Sequence, residues 1–276
     1  MPEAETWEIV NAPATTMNLD CSSACTRHSS SVSPIDALIE DVRSTLVLGQ
    51  PEDLSSNESL GRLLILSLVT SVEGYFRELL FQLTRVCPIA ADKIADDEIP
   101  LGALSFYGTH DAARGLFERV SFSSAGEIRR QTKAVAGVSW KESDSLGVAI
   151  ENFDKVCHMR HAAVHSKGLL SRGNARALGV QDAGRVQLSI KVSHLQDAAS
   201  VCLSLVREYN QTVYRATIGR WRDQQILCGD WKKDKENFEA VYRLFRSRED
   251  GIGPDRPYIV YRSLQESLRR RALARA

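Results

Sequence analysis

Residues 58–86 read ESLGRLLILSLVTSVEGYFRELLFQLTRV. The stretch holds no proline, and Pro88 follows just beyond it, so one helix can run its full length and stop there. Ser55 and Glu58 stand three apart, the spacing of a capping box, and mark its start. In the first half, apolar residues occupy nearly every angular position rather than one stripe. That pattern predicts a helix with neighbours on most sides, in the middle of a bundle.

The segments on either side agree. IDALIEDVRSTLVLG (35–49) is amphipathic and closes at Gly49. DAARGLFERV (111–120) and SAGEIRRQTKAV (124–135) carry shorter helical patterns. Asp144 caps a helix through SLGVAIENFDKVCHMRHAAVH, with Gly168 as its stop. LQDAASVCLSLVREYNQTVYRATIGRW (195–221) returns to helical period. VQLSIKVS (186–193) alternates apolar and polar residues, which predicts a strand or hairpin arm. The expected fold is mainly all-α. Residues 35–221 form a helical bundle with a small β-hairpin insertion, and residues 222–276 a basic-aromatic C-terminal extension. Residues 1–34, rich in Ser, Thr, Ala and Pro after position 11, are expected to be a mobile segment. Within it Cys21, Cys25 and His28 offer three metal ligands, with no fourth at finger-like spacing.

The chain has no net charge, so no global basic field marks it as a polyanion binder. The distribution is uneven. Residues 1–60 carry ten acidic and two basic side chains, and residues 231–276 carry twelve basic and seven acidic ones. An acidic head and a basic tail fit a polyanion partner near the C-terminus, or simply two solvated faces of opposite sign. Six scattered cysteines are unlike a secreted disulfide framework. The opening MPEAETWEIV is acidic where a signal peptide is basic. LLILSLV (63–69), the most apolar run, is too short to cross a bilayer. A cytoplasmic protein with reduced thiols and no membrane partner is expected.

Half of the six histidines, His158, His161 and His165, fall around Arg160 in VCHMRHAAVHSKG (156–168). At about 100° per residue, Leu146, Ile150, Phe153, Cys157 and Val164 form the buried stripe of this helix, and Arg160 falls about 40° from its centre. A guanidinium there is costly unless it meets an anion, an interface or a cleft, or snorkels to a surface carboxylate. Asp154, His161, His165 and His158 make a second stripe beside the first. A carboxylate one turn before an imidazole can fix its tautomer. His161 and His165 also have the i, i+4 spacing of zinc ligands, but Ala162, Ala163 and Val164 stand where a glutamate base would be. On an ideal helix Arg160 and His165 point about 140° apart. They meet on one phosphate if the helix frays before Gly168, or if two copies face each other across a two-fold axis.

Arg160-His161-x-x-x-His165 resembles the Arg-polar-x-x-x-His signature of the HEPN superfamily, the higher-eukaryote and prokaryote nucleotide-binding domains. SLVTSVEGYFRELL, with Glu73 and Tyr75, is similar to that family's first core helix, and the element order resembles it over residues 35–220. The resemblance implies a dimeric helical bundle acting as a metal-independent endoribonuclease, with no cofactor. It further implies an active site at the homodimer interface, RNA as substrate, and a toxin or antiphage-defence setting with an antitoxin or effector partner.

These side chains suit that chemistry. Cleavage by the RNA 2′-hydroxyl needs a base, an acid and positive charge on the phosphorane. Histidine serves as base or acid near neutral pH, and arginine grips two phosphate oxygens at once. The expected roles are His165 as acid–base, Arg160 as phosphate clamp and His161 as helper. Asp154, His158, Glu73 and Tyr75 are supporting candidates. Glu73 is equally placed for an i, i+4 ion pair with Arg77, Tyr75 for a wall position and Cys157 for the core. In the tail, Arg269, Arg270 and Arg271 could track an RNA backbone while Tyr258 and Tyr261 stack on bases, or the tail is only a surface helix. Three other readings remain: a catalytically silent module that binds a nucleotide or partner protein, a metal-dependent hydrolase using the three histidines, and a structural helical protein.

Overall fold

The fold comes from a computed structural model that describes residues 11–12, 17–26, 32–181 and 185–275, with side chains as far as Glu266. Residues 1–31 form one unit, in which the described part holds a single 3-10 turn at Ser22–Ala24. Most of the expected mobile segment, His28 included, lies outside the described residues.

Residues 32–276 form the other unit, and the described residues there contain eleven helices. Ser33 caps α1 (Pro34–Leu48), which ends at Gly49. α2 (Pro51–Ser56) is short and takes up Ser55, so Ser55 is not the cap of the long helix. That cap is Asn57, whose Oδ1 accepts from the N–H groups of Ser59 and Leu60 at 3.0 and 3.3 Å. α3 (Glu58–Val86) then runs unbroken to the turn before Pro88. α4 (Pro88–Lys93) and α5 (Leu101–Asp111) follow, and a 3-10 turn at Ala112–Leu116 replaces the helix expected over 111–120. α6 (Ala125–Gln131) passes into one π-helical turn, Thr132–Ala136. α7 (Ser145–His165), α8 (Arg172–Ala177) and α9 (Val192–Asp223) complete the bundle.

α3 packs against α1, α7 and α9, while α7 and α1 also reach α9, so four long helices enclose one core. Its centre is aromatic. Tyr75, Phe76, Phe122, Trp140 and Tyr209 meet ring to ring, and the Tyr209 hydroxyl hydrogen-bonds Thr132 Oγ1 at 2.7 Å on the π-helical turn.

The β-hairpin expected near 186–193 is not formed among the described residues. One antiparallel bridge pairs Leu169 with Gln187. The alternation in the sequence is real, since Leu188 and Ile190 turn inward while Gln187, Ser189 and Lys191 are exposed. What is missing is a partner strand: after Leu170 the chain enters α8, and after Lys191 it enters α9.

The C-terminal residues are more than an extension. Phe238, Val241, Tyr242, Leu244 and Phe245 of α10 (Trp231–Phe245) and Tyr261 of α11 (Pro257–Arg275) join the same core. Two buried carboxylates tie them down. Asp36 of α1 accepts from the Ser247 hydroxyl and the backbone N–H groups of Arg248 and Glu249. Asp234 accepts from the backbone N–H groups of Cys228 and Gly229 and, at 2.5 Å, from the Tyr261 hydroxyl. Burial raises both carboxyl pKa values, but these donors outweigh it and both groups end below the ordinary carboxylate range. The stabilisation is therefore complete above the unfolded value near 4 and is lost as pH falls through the lower folded value. Asp36→Asn and Asp234→Asn should each cost about 2–3 kcal/mol at pH 7. In urea unfolding between pH 7 and pH 2 the wild-type and variant stabilities should converge as pH falls. Parallel curves would contradict this account.

Candidate functional site

α7 carries Arg160, His161 and His165 in its last turns, and three local features fix that end. Gly168 donates its N–H to the carbonyl of Ala162 at 2.9 Å, closing the helix. Gly168 has φ +90°, and a Cβ there would stand 2.7 Å from Cδ of Arg62, so glycine lets the Arg62 side chain of α3 lie across the turn. The return segment clamps it from the other side, with Leu188 N–H on the Gly168 carbonyl at 2.8 Å and Leu170 N–H on the Val186 carbonyl at 2.9 Å.

Arg160 is half-buried, its Nε is fully buried, and it makes no hydrogen bond or ion pair among the described residues. His161 and His165 are exposed, with ring centroids 4.6 Å apart. The buried stripe drifts at this end: Val164, expected inside it, is 45% exposed, while Ala162 is fully buried. α7 packs there against α8, a neighbour that the pattern within α7 does not report. The drift leaves Arg160 at the edge of the buried face.

The other expected residues divide into three groups. His158 faces α8, its Nδ1 3.0 Å from Asn174 Oδ1 and its Nε2 3.6 Å from Asp154 Oδ2. Asp154 also accepts from the N–H of Ala125 at 3.3 Å. Glu73, across on α3, forms the i, i+4 ion pair with Arg77 at 3.2 Å and accepts from the Ser121 hydroxyl. The buried Cys157 thiol has its pKa raised by burial first and then by Asp154, Cys202 and Glu73, with Arg160 opposing. Tyr75 sits in the core and donates to Asn210 Oδ1 at 3.1 Å, away from solvent.

In the tail, Tyr261 is fully buried on Asp234 and unavailable for stacking on bases. Tyr258 is exposed and packs against Trp231, with centroids 5.2 Å apart. Arg269, Arg270 and Arg271 lie beyond the last described side chain. Among the described residues no three His, Cys, Asp or Glu side chains group as metal ligands, and no helix is long and apolar enough to cross a membrane.

One signal was missed. From Lys155 to Gln181 the sequence holds no acidic residue but five permanent cations, Lys155, Arg160, Lys167, Arg172 and Arg176. Lys155 midway along α7, Lys167 just past its end, and Arg172 and Arg176 on α8 are exposed, and Arg160 alone is half-buried. Such a surface attracts phosphate backbones in a salt-dependent way. No family model, curated protein or solved structure matches the chain.

A half-buried guanidinium with no partner among the described residues costs partial desolvation without a compensating ion pair. Arg160→Met should leave Tm unchanged or raise it by up to about 3 °C in calorimetry. A fall of several degrees would show that Arg160 holds structure together.

Proposed function

We propose that the chain is a metal-independent endoribonuclease of HEPN type that cleaves RNA through 2′-hydroxyl attack and acts as a homodimer, in a toxin or antiphage-defence setting. The observation that carries this reading is the half-buried Arg160, without an anionic partner among the described residues, beside the exposed His161–His165 pair. The guanidinium is the phosphate clamp, His165 the acid–base group and His161 its helper. His158 is held by Asn174 and Asp154 and keeps the last turns of α7 in place.

Within one chain Arg160 and His165 diverge around the helix. Two copies related by a two-fold axis bring two of each into one cleft. Exposed apolar side chains that could serve such a contact stand on helix ends near the end of α7. Thr45 meets Ser67 at 2.9 Å and Arg62 crosses Gly168, which places the end of α1, the start of α3 and the end of α7 together. Val47, Leu48, Leu63 and Val164 are all exposed there. Lys155, Lys167, Arg172 and Arg176 supply the sequence-independent hold on the RNA backbone.

Purified protein incubated with total RNA in EDTA should produce fragments ending in 2′,3′-cyclic phosphates. Arg160→Ala and His165→Ala should each lower the rate by about 100-fold or more. Cleavage that requires added zinc would replace this reading with the metal-dependent one. A folded dimer that binds RNA without cutting it would leave only the binding-module reading.

A further inference from the structure

A cavity of about 440 Å³ lies between α9, α10 and the loop that follows α10, and it shares no residue with the α7 cluster. Its volume is that of a small-molecule pocket. Three rings form much of the wall: Tyr214 stands 6.5 Å from Tyr242 and 5.6 Å from Phe245, centroid to centroid. Burial, with Tyr242 adding to it, pushes the Tyr214 phenol pKa up, so the ring enters the cavity neutral.

Most of the polar lining is already engaged. Asn210 accepts from Tyr75 and donates to the Phe245 carbonyl at 2.6 Å. The Tyr242 hydroxyl donates to the Pro254 carbonyl at 2.8 Å. Arg207 grips Asp250 through Nε and Nη2, which neutralises that cation inside the cavity. Arg246 differs. Its side chain is only 14% exposed, its Nε is buried without a hydrogen bond, and its Nη2 donates to Asp255, whose side chain is 87% exposed. An ion pair with so solvated a partner is held weakly and exchanges readily for another anion. Such walls offer a flat apolar body its contacts, and Arg246 serves a single acid that displaces the exposed Asp255.

We propose that this cavity binds a small aromatic molecule carrying one acidic group, with the ring against Tyr214, Tyr242 and Phe245 and the acid on Arg246. A carboxylate or a phosphate satisfies the same guanidinium. This site is independent of the α7 cluster, and its test does not depend on RNA cleavage.

Isothermal titration of the full chain with indole-3-acetate, phenyl phosphate, indole and acetate tests the proposal. Indole-3-acetate or phenyl phosphate should bind at least tenfold tighter than indole, with acetate undetectable, and the tighter of the two acids identifies the acid class. Arg246→Met should erase the advantage of the acid over indole, and Tyr214→Ala should weaken both. Asp255→Ala, at an exposed position that leaves the fold intact, should tighten the acid by freeing Arg246. Equal binding of indole and both acids, absence of all binding, or no gain from Asp255→Ala would each overturn the proposal.

Discussion

Helix α3 carries Leu, Ile, Val and Phe around most of its circumference, and water has to be kept from nearly all of it. Ten of those side chains, from Leu64 to Leu83, are buried, each contributing about 2 kcal/mol of transfer free energy before entropy is set against it. No single neighbour covers such a helix. α1, α7, α9 and α10 each take part of its surface, and the two carboxylates Asp36 and Asp234 hold the last two helices to the layers they complete. The end of α7 is where this enclosure stops. Leu63 and Val164 emerge into solvent there, and a charged side chain, Arg160, is left at the boundary with no anionic partner among the described residues. The candidate site is thus a consequence of how the core runs out.

The four long helices were legible in the sequence because each is written by many residues at one period. α1, α3, α7 and α9 begin and end within a few residues of their expected limits. What failed depended on single contacts between distant segments. Ser55 had capping-box spacing, but the short α2 absorbed it and Asn57 became the cap. The alternation in 186–193 correctly reported an extended chain with one buried face, but alternation carries no information about a partner strand. α4 and α5 left no readable stripe. α4 is only six residues long, and α5 leaves Leu101 and Phe106 in solvent.

The candidate site divides along the same line. That His161 and His165 share a face follows from their spacing, and the structure sets their rings side by side. The angle of Arg160 to the apolar stripe placed it inside the buried face, and the drift of that stripe against α8 leaves it half-buried at the edge instead. The fates of His158 and Tyr261 were not readable, since Asn174 lies 16 residues from the one and Asp234 lies 27 residues from the other. The acid-free run from Lys155 to Gln181 is a local excess of cations that the zero net charge of the whole chain conceals.

The claim that two copies share one cleft gives the account its most direct test. Arg160→Ala and His165→Ala chains, each inactive alone, would be unfolded together, refolded and assayed on RNA in EDTA beside the wild type. The account predicts that the mixture regains a substantial part of wild-type cleavage, because mixed dimers hold one intact arginine and one intact histidine across the interface. A mixture as inactive as its parents, beside an active wild type, would contradict it.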